Sequence, residues 1–222
     1  MFITLEGIEG SGKSTQTPFL AGLLEAKGWE CVVTREPGGT EIGKRIRAVL
    51  LDPASREVHP HTELLLYVAD RCQHLRERIL PALEGGKAVV CDRFRDATLA
   101  YQGVARGLGG RLVEDLHRML LDDVRPDLTL LFDLTPAEGL ARAWRQIDGG
   151  ARPAGESRFE SEALAFHGRV RNAYLALARA EPGRFRRIDA AAPVPEVEAQ
   201  IRRIVEDSVP ARPGGAAPDP FA

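Results

Sequence analysis

The chain has 222 residues, 44% hydrophobic and 28% charged, with a formal net charge of −2. That length suits one α/β domain with room for a small insertion, and such a chain buries roughly 70% of its unfolded surface. The near-neutral balance gives no reason to expect a nucleic acid or a membrane surface as partner, and no apolar run approaches the roughly 20 residues that span a bilayer.

"FITL" predicts a short buried strand and is too brief for a signal peptide, so a cytoplasmic protein is expected. It runs directly into "EGIEGSGKST", Glu6 to Thr15. This fits G-x-x-x-x-G-K-[ST], with Gly7, Gly12, Lys13 and Ser14 in the fixed positions. A helix predicted from about Lys13 to Lys27 places the motif between strand and helix, the context it requires. In such a loop the backbone around Gly7, Gly10, Ser11, Gly12 and Thr15 cradles phosphate oxygens. Lys13 then reaches the β- and γ-phosphates, and the Ser14 hydroxyl meets Mg²⁺.

"ECVVT" predicts the second strand. In "TREPGGTEIGKRIR", Pro37-Gly38-Gly39 makes a turn and Thr40 caps the next helix. Lys44, Arg45 and Arg47 then fall in the first turns, where cations oppose the helix dipole, and a bound anion would explain at least one of them. A helical stretch follows from about His61 to Glu84. At about 100° per residue, Leu64, Leu65, Val68, Cys72, Leu75, Ile79 and Leu83 form one apolar stripe. Tyr67 and Arg71, four apart, share a different face. They form either the edge of the core or a pair that stacks on and hydrogen-bonds to a planar base.

"AVVCD" predicts the third strand, with Asp92 and Arg93 at its carboxyl end. They could be a surface ion pair. The sheet edge they share with the glycine loop favours a carboxylate that holds Mg²⁺ through water, beside a guanidinium that grips phosphate. Two helical segments lead to the strand "LTLLFDL". "IDGGARPAGESR", Ile147 to Arg158, is rich in glycine, proline and charge and predicts a mobile lid. "RFRRID" predicts the last strand, before a helix near Glu196 to Glu206. From Pro210 the composition cannot bury a core, so one domain over 1–209 and a disordered tail over 210–222 are expected. Cys31, Cys72 and Cys91 lack C-x-x-C spacing and are expected as buried free thiols. His59 and His61, in a loop, lack metal-ligand spacing and are expected exposed.

Strands alternating with helices predict an α/β fold, a parallel sheet flanked by helices on both faces with ligands at the carboxyl ends of its strands. With the glycine loop, this is the P-loop NTPase type.

Together, "EGIEGSGKSTQ", "TREPGGTEIG", "LLLYVADRCQH", "DRFRDATLAYQG", "RPDLTLLFDLTP" and "SRFESEALAFHGRVRNAYLALA" resemble the bacterial thymidylate kinases, over nearly the whole chain to about Asp207. The resemblance implies transfer of the γ-phosphoryl of ATP to dTMP with Mg²⁺, giving dTDP and ADP, by an enzyme that is usually a homodimer. It places Glu9 against the dTMP 3′-hydroxyl, Tyr67 on the thymine face and Arg71, Thr98 and Gln102 at the base edge. Arg47 and Arg93 hold the dTMP phosphate, and Tyr101 crowds the sugar 2′ position. "DAAAP" after Ile188 matches the loop that borders adenine. Tyr67 stands where phenylalanine is commoner and Phe94 where tyrosine is, and the lid follows the family only loosely.

Phosphoryl transfer needs positioning and charge neutralisation more than covalent help. Lys13 and Arg93 supply two cations. The loop residues Ile8 to Ser11 hold no arginine, so a further cation is expected from Arg142, Arg145 or Arg152, with Arg158 at the end of the same lid. The alternatives are a kinase for another nucleoside monophosphate, a GTPase switch and an inactive ATP-binding module. The missing N-K-x-D motif counts against the second, and intact Lys13, Ser14, Asp92 and Arg93 count against the third.

Overall fold

The computed structural model describes residues 1–151 and 153–212. Among these, β1 (Phe2–Glu6), β2 (Cys31–Arg35), β3 (Ala88–Asp92), β4 (Leu128–Asp133) and β5 (Phe185–Asp189) form one parallel sheet in the order β2-β3-β1-β4-β5. The central strand β1 pairs with β3 on one side and β4 on the other and is buried at every position. Its one hydroxyl, Thr4, is satisfied by Thr129 of β4 at 2.8 Å, so the sheet centre carries no orphaned side-chain polar group there. The outer strands are less covered: Val33 of β2 is 47% exposed, and in β5 Phe185 and Ile188 are buried while Arg187 and Asp189 are exposed.

The helices are α1 (Lys13–Ala26), α2 (Glu41–Leu51), α3 (Pro60–His74), α4 (Leu80–Glu84), α5 (Arg95–Thr98), α6 (Gly110–Leu120), α7 (Pro136–Asp148), α8 (Leu164–Ala180) and α9 (Val194–Ser208). The predicted α/β architecture is therefore observed, with the loops that follow β1, β2 and β3 on one sheet edge. The long stretch from His61 is α3 running through a π-helical segment, Leu75–Ile79, into α4. A second π segment, Leu99–Ala105, extends α5. The apolar stripe of α3 is narrower than its spacing predicts. Leu64, Val68, Leu75 and Ile79 are buried, whereas Leu65 lies 56% exposed because it is rotated out past the edge of the packed face.

Thr40 caps α2, accepting from the Gly43 amide at 2.9 Å. All three cysteines are free; Cys91 is buried, but Cys31 and Cys72 are only half-buried, since β2 is an edge strand and Cys72 lies on the flank of α3. His59 and His61 are exposed. Of the expected tail, residues 210–212 pack on the end of α1: Trp29 donates to the Pro210 carbonyl at 3.1 Å and the Arg212 amide to the Lys27 carbonyl at 3.0 Å. The rest of the tail, 213–222, lies outside the described residues, as does Arg152.

Candidate active site

The glycine loop leaves β1 in a conformation that only glycine tolerates. Gly7 has φ 143°, and a Cβ there would lie 2.5 Å from the Phe132 carbonyl oxygen. Gly10 has φ 69°, and its Cβ would lie 2.1 Å from the Gly139 carbonyl, so the loop packs backbone-to-backbone on α7. Lys13 then folds back over this loop, donating to the carbonyls of Gly7 and Ile8 at 2.9 Å and to Ser11 Oγ at 3.1 Å. Three acceptors match the three N–H bonds of the ammonium. Burial, and next the Arg93 charge, lower Lys13 to about 8.

These loops enclose a cavity of roughly 520 Å³. From the glycine loop it is lined by Glu9, Gly10, Ser11, Gly12, Lys13, Ser14 and Thr15; Gly7 lies beneath, shaping the turn. Asp92 and Arg93 close the end of β3. Arg47, Tyr67 and Arg71 contribute from α2 and α3, while Thr98, Tyr101 and Gln102 come from α5 and its π extension. The π geometry matters here, because single π turns are uncommon and are frequent where a helix supplies functional side chains.

The central charge cluster joins four parts of the fold: the glycine loop, the end of β3, the π extension of α5 and α8. Arg93 Nη2 donates to Glu9 Oε1 at 2.9 Å, and the Tyr101 hydroxyl donates to the same oxygen at 2.6 Å. The Arg93 guanidinium also lies 4.9 Å from the Tyr101 ring centroid. His167, from α8, brings Nδ1 to 3.1 Å from Glu9 Oε2, with its Nε2 3.0 Å from the Phe159 carbonyl. Burial opposes the charged form of Glu9, yet Arg93, His167 and Tyr101 together hold its carboxyl well below the usual carboxylate range. Arg93 itself has φ 70°, a left-handed backbone that a non-glycine residue adopts at a cost of about 1 kcal/mol or more. Its amide donates to the Leu5 carbonyl at 2.9 Å, which holds that turn against the central strand.

Ser14 Oγ donates to Asp92 Oδ2 at 2.9 Å, while Asp92 Oδ1 is buried with no partner among the described residues. A hydroxyl and an orphaned carboxylate oxygen at the mouth of a phosphate-type loop fit a hard divalent cation, whose remaining ligands come from water and phosphate.

Arg71 is almost wholly buried, and Glu36 explains how. Glu36 Oε2 accepts Arg71 Nε at 2.6 Å, and Glu36 Oε1 lies 2.8 Å from His74 Nδ1. Asp70 Oδ1 accepts the Gly38 amide at 3.0 Å. One face of α3 thus clamps the Pro37-Gly38-Gly39 turn, and the Pro37 carbonyl in turn accepts Arg47 Nη1 at 3.1 Å. Arg47 also makes a two-pronged pair with Glu156, at 3.1 and 2.7 Å. Of the other two cations expected to meet an anion, Lys44 pairs with Glu41 and Arg45 is exposed.

The predicted lid places its arginines elsewhere. Arg142 donates to the carbonyls of Ala190 and Ala191, at 2.8 and 3.4 Å, in the loop after β5. Arg145 is exposed and donates to the Ala141 carbonyl at 3.2 Å. Neither lines the cavity, because the α7 face that meets it carries Gln146 instead, followed by Ala151, Pro153 and Glu156. Arg158 is buried, on the Leu50 carbonyl at 3.0 Å and on Glu63. Arg152 lies outside the described residues.

Several groups carry no local signature. Glu6, at the end of β1, accepts the Phe94 amide at 2.8 Å and the Tyr174 hydroxyl at 2.7 Å, and burial reinforced by Asp96 pushes it up to about 8. His167 and Tyr174 are seven apart in "FHGRVRNAY", a spacing that puts both on one helix face, and this was the available clue.

A sequence model of the thymidylate kinase family matches residues 5–201. The thymidylate kinase of Desulfosudis oleivorans is 56% identical over 206 residues, covering 93% of this chain and 96% of its own. That of Desulforapulum autotrophicum is 58% identical over 190 residues, covering 86% and 84%. In three dimensions the chain is similar to the crystal structure of thymidylate kinase from Ehrlichia chaffeensis. The TM-score is 0.71 at 31% identity, covering 92% of this chain and 98% of that one.

Proposed function

The chain belongs to the thymidylate kinase family, and on that premise we propose that it transfers the γ-phosphoryl group of ATP to dTMP, giving dTDP and ADP. One observation carries the reading onto this molecule. A single cavity joins the phosphate-type loop, the Asp92-Arg93 edge and the wall of Tyr67, Arg71, Thr98, Tyr101 and Gln102. Two anionic ligands can therefore meet end to end in it.

Lys13 leaves its loop carbonyls for the β- and γ-phosphates of ATP, exchanging neutral acceptors for charged ones, which roughly doubles the strength of each bond. The backbone of residues 10–15 holds the remaining phosphate oxygens at the start of α1. Ser14, with Asp92 behind it, would hold Mg²⁺, which supplies charge neutralisation on the triphosphate. Arg93 and Arg47 grip the dTMP phosphate. Both already sit on carboxylates, Glu9 and Glu156, so they are aligned before the substrate arrives and the entropic cost of ordering them is already met by the fold. Glu9 meets the sugar 3′-hydroxyl, the Tyr101 ring crowds the 2′ position, and Tyr67, whose ring lies 6.5 Å from that of Phe159, lies on the base face. No general base is required, because the attacking phosphate oxygen is already anionic.

The same reading includes a homodimer in the cytoplasm. Leu65 of α3 and Met119 and Leu120 of α6 are at least half exposed, on helices that pack together, and burying such side chains against a second copy would remove apolar surface from water. No helix among the described residues is long and apolar enough to cross a membrane. A coupled assay of ADP release tests the function: release that depends on added dTMP supports it, and release unaffected by dTMP overturns it.

A further inference from the structure

Glu63 is wholly buried on α3, lines no part of the cavity, and yet touches the residue set against the base edge. Its Oε1 accepts Gln102 Nε2 at 2.8 Å and Arg106 Nε at 3.2 Å. Its Oε2 accepts Arg106 Nη2 at 3.2 Å and Arg158 Nη2 at 2.5 Å. Four donors thus fill the four lone-pair positions of one carboxyl group.

This arrangement determines which way the Gln102 amide points. An amide can turn over and exchange its donor and acceptor ends, and the two look alike in shape. Beside Glu63 they are not equivalent. The carboxyl group accepts but does not donate, and the Gln102 oxygen turned toward it would face an acceptor. Gln102 therefore commits its NH₂ to Glu63 and leaves Oε1 without a partner among the described residues, on the wall of the cavity.

Arg71 and Thr98 on the same wall supply donors. Arg71 uses four of its five N–H bonds: one to Glu36, one to His117 Nε2 at 2.8 Å, and two from Nη2 to Phe94 O and Thr98 Oγ1, both at 3.0 Å. One Nη1 hydrogen remains. His117 can only accept there, and burial, then the charge of Arg71, lower it to about 2, so it stays neutral. Thr98, having accepted from Arg71, retains its own hydroxyl hydrogen. The edge reads donor, donor, acceptor. A base presenting a carbonyl next to a ring N–H complements it; one presenting an amino group next to a bare ring nitrogen meets donor against donor and acceptor against acceptor.

We infer that Glu63 is a positioning residue for base selection: by clamping the Gln102 amide it fixes the acceptor that separates keto pyrimidine nucleotides from amino ones. The inference rests on the proposed function and adds a residue that never touches the substrate. Through Arg158, and through Arg106, which also pairs with Glu162, the same clamp ties the base edge to the end of the predicted lid and the residues just after it.

The test compares dTMP with 5-methyl-dCMP, which has the same shape and methyl group but a reversed edge. The wild-type enzyme should prefer dTMP by at least about a thousandfold in kcat/KM, since a site built to pair polar edges strongly rejects a mismatched one. In Glu63→Gln the introduced amide keeps its oxygen on the two guanidinium groups and turns its NH₂ toward Gln102, which must turn over. The preference should then fall at least tenfold, chiefly through KM. Glu63→Asp keeps the charge and the fold and should fall between. A folded Glu63→Gln or Glu63→Asp enzyme with the wild-type ratio overturns the inference. So does a wild-type enzyme that uses 5-methyl-dCMP within tenfold of dTMP, a result that needs no variant to fold. Absence of any dTMP turnover by the wild type would instead overturn the proposed function.

Discussion

Glu9 and Tyr101 meet through a 2.6 Å hydrogen bond in which the hydroxyl donates to the carboxylate oxygen that also holds Arg93. The tyrosine therefore has two separable parts. Its hydroxyl belongs to the charge cluster, and its ring forms a wall against Phe159, centroid to centroid 5.6 Å.

Separating the two parts by mutation gives different outcomes. Tyr101→Ala removes the wall and should lower the preference for dTMP over its ribonucleotide counterpart by roughly tenfold or more, because a steric clash with the 2′-hydroxyl disappears. Tyr101→Phe keeps the ring and should retain that preference while raising the KM for dTMP, since Glu9 and Arg93 lose a tether. Competition kinetics with the two nucleotides measure both. An unchanged ratio in Tyr101→Ala would place sugar selection elsewhere.

Lys13→Ala should reduce turnover by about a hundredfold or more, since a buried cation on the transferring phosphates is lost. The fold should survive, because the loop's shape rests on Gly7 and Gly10 packing against β4 and α7 rather than on the ammonium. Wild-type circular dichroism with turnover down less than tenfold would contradict the role given to Lys13.

Glu6 makes stability depend on pH. Its carboxyl group moves from 4.5 when unfolded to about 8 when folded, so the folded state holds the extra proton between those values. Stability from this group is complete below about 4.5 and is lost as pH rises toward about 8. Glu6→Gln keeps the acceptor for the Phe94 amide and carries no titrating proton. Its Tm relative to wild type should therefore rise steadily from pH 5 to pH 8. A difference that stays constant with pH would show that Glu6 is ionised throughout.

Much of this was readable from short stretches. The glycine loop, the Thr40 cap and the Asp92-Arg93 edge depend on neighbours within a few residues, and periodicity alone placed Tyr67 and Arg71 together on a face that lines the cavity. The pattern failed where rotation at the margin decides, as at Leu65, and where sheet position decides, as at half-buried Cys31. Glu6 and Glu63 were invisible because each acts through partners from 39 to 168 residues away, and His167 showed only a helix-face spacing with Tyr174 that does not reveal its distant partner Glu9. Arg142 is the converse case: a basic residue beside a glycine-rich segment, held instead by two carbonyls of the loop after β5.

A catalytic cation from Arg142 or Arg145 requires these side chains to move. Arg142 would have to leave Ala190 and Ala191, and Arg145 would have to swing in from solvent, when substrates bind. Alanine at Arg142, Arg145 or Arg152 should then lower kcat far more than it raises the KM for dTMP, the pattern of a contact made mainly in the transition state. Exposed arginines without such a role would leave the kinetics nearly unchanged. If each single variant and the triple variant keep kcat within about threefold of wild type, the cation comes from another segment.

The most direct test follows the label from γ-³²P-ATP into product across dTMP, dUMP, dCMP, dAMP and dGMP. The cavity predicts labelled dTDP as the main product, with dUMP poor but measurable, because a single methyl group is worth about 1–3 kcal/mol. Little or no transfer to dTMP, or a higher kcat/KM for any other nucleotide, would contradict it.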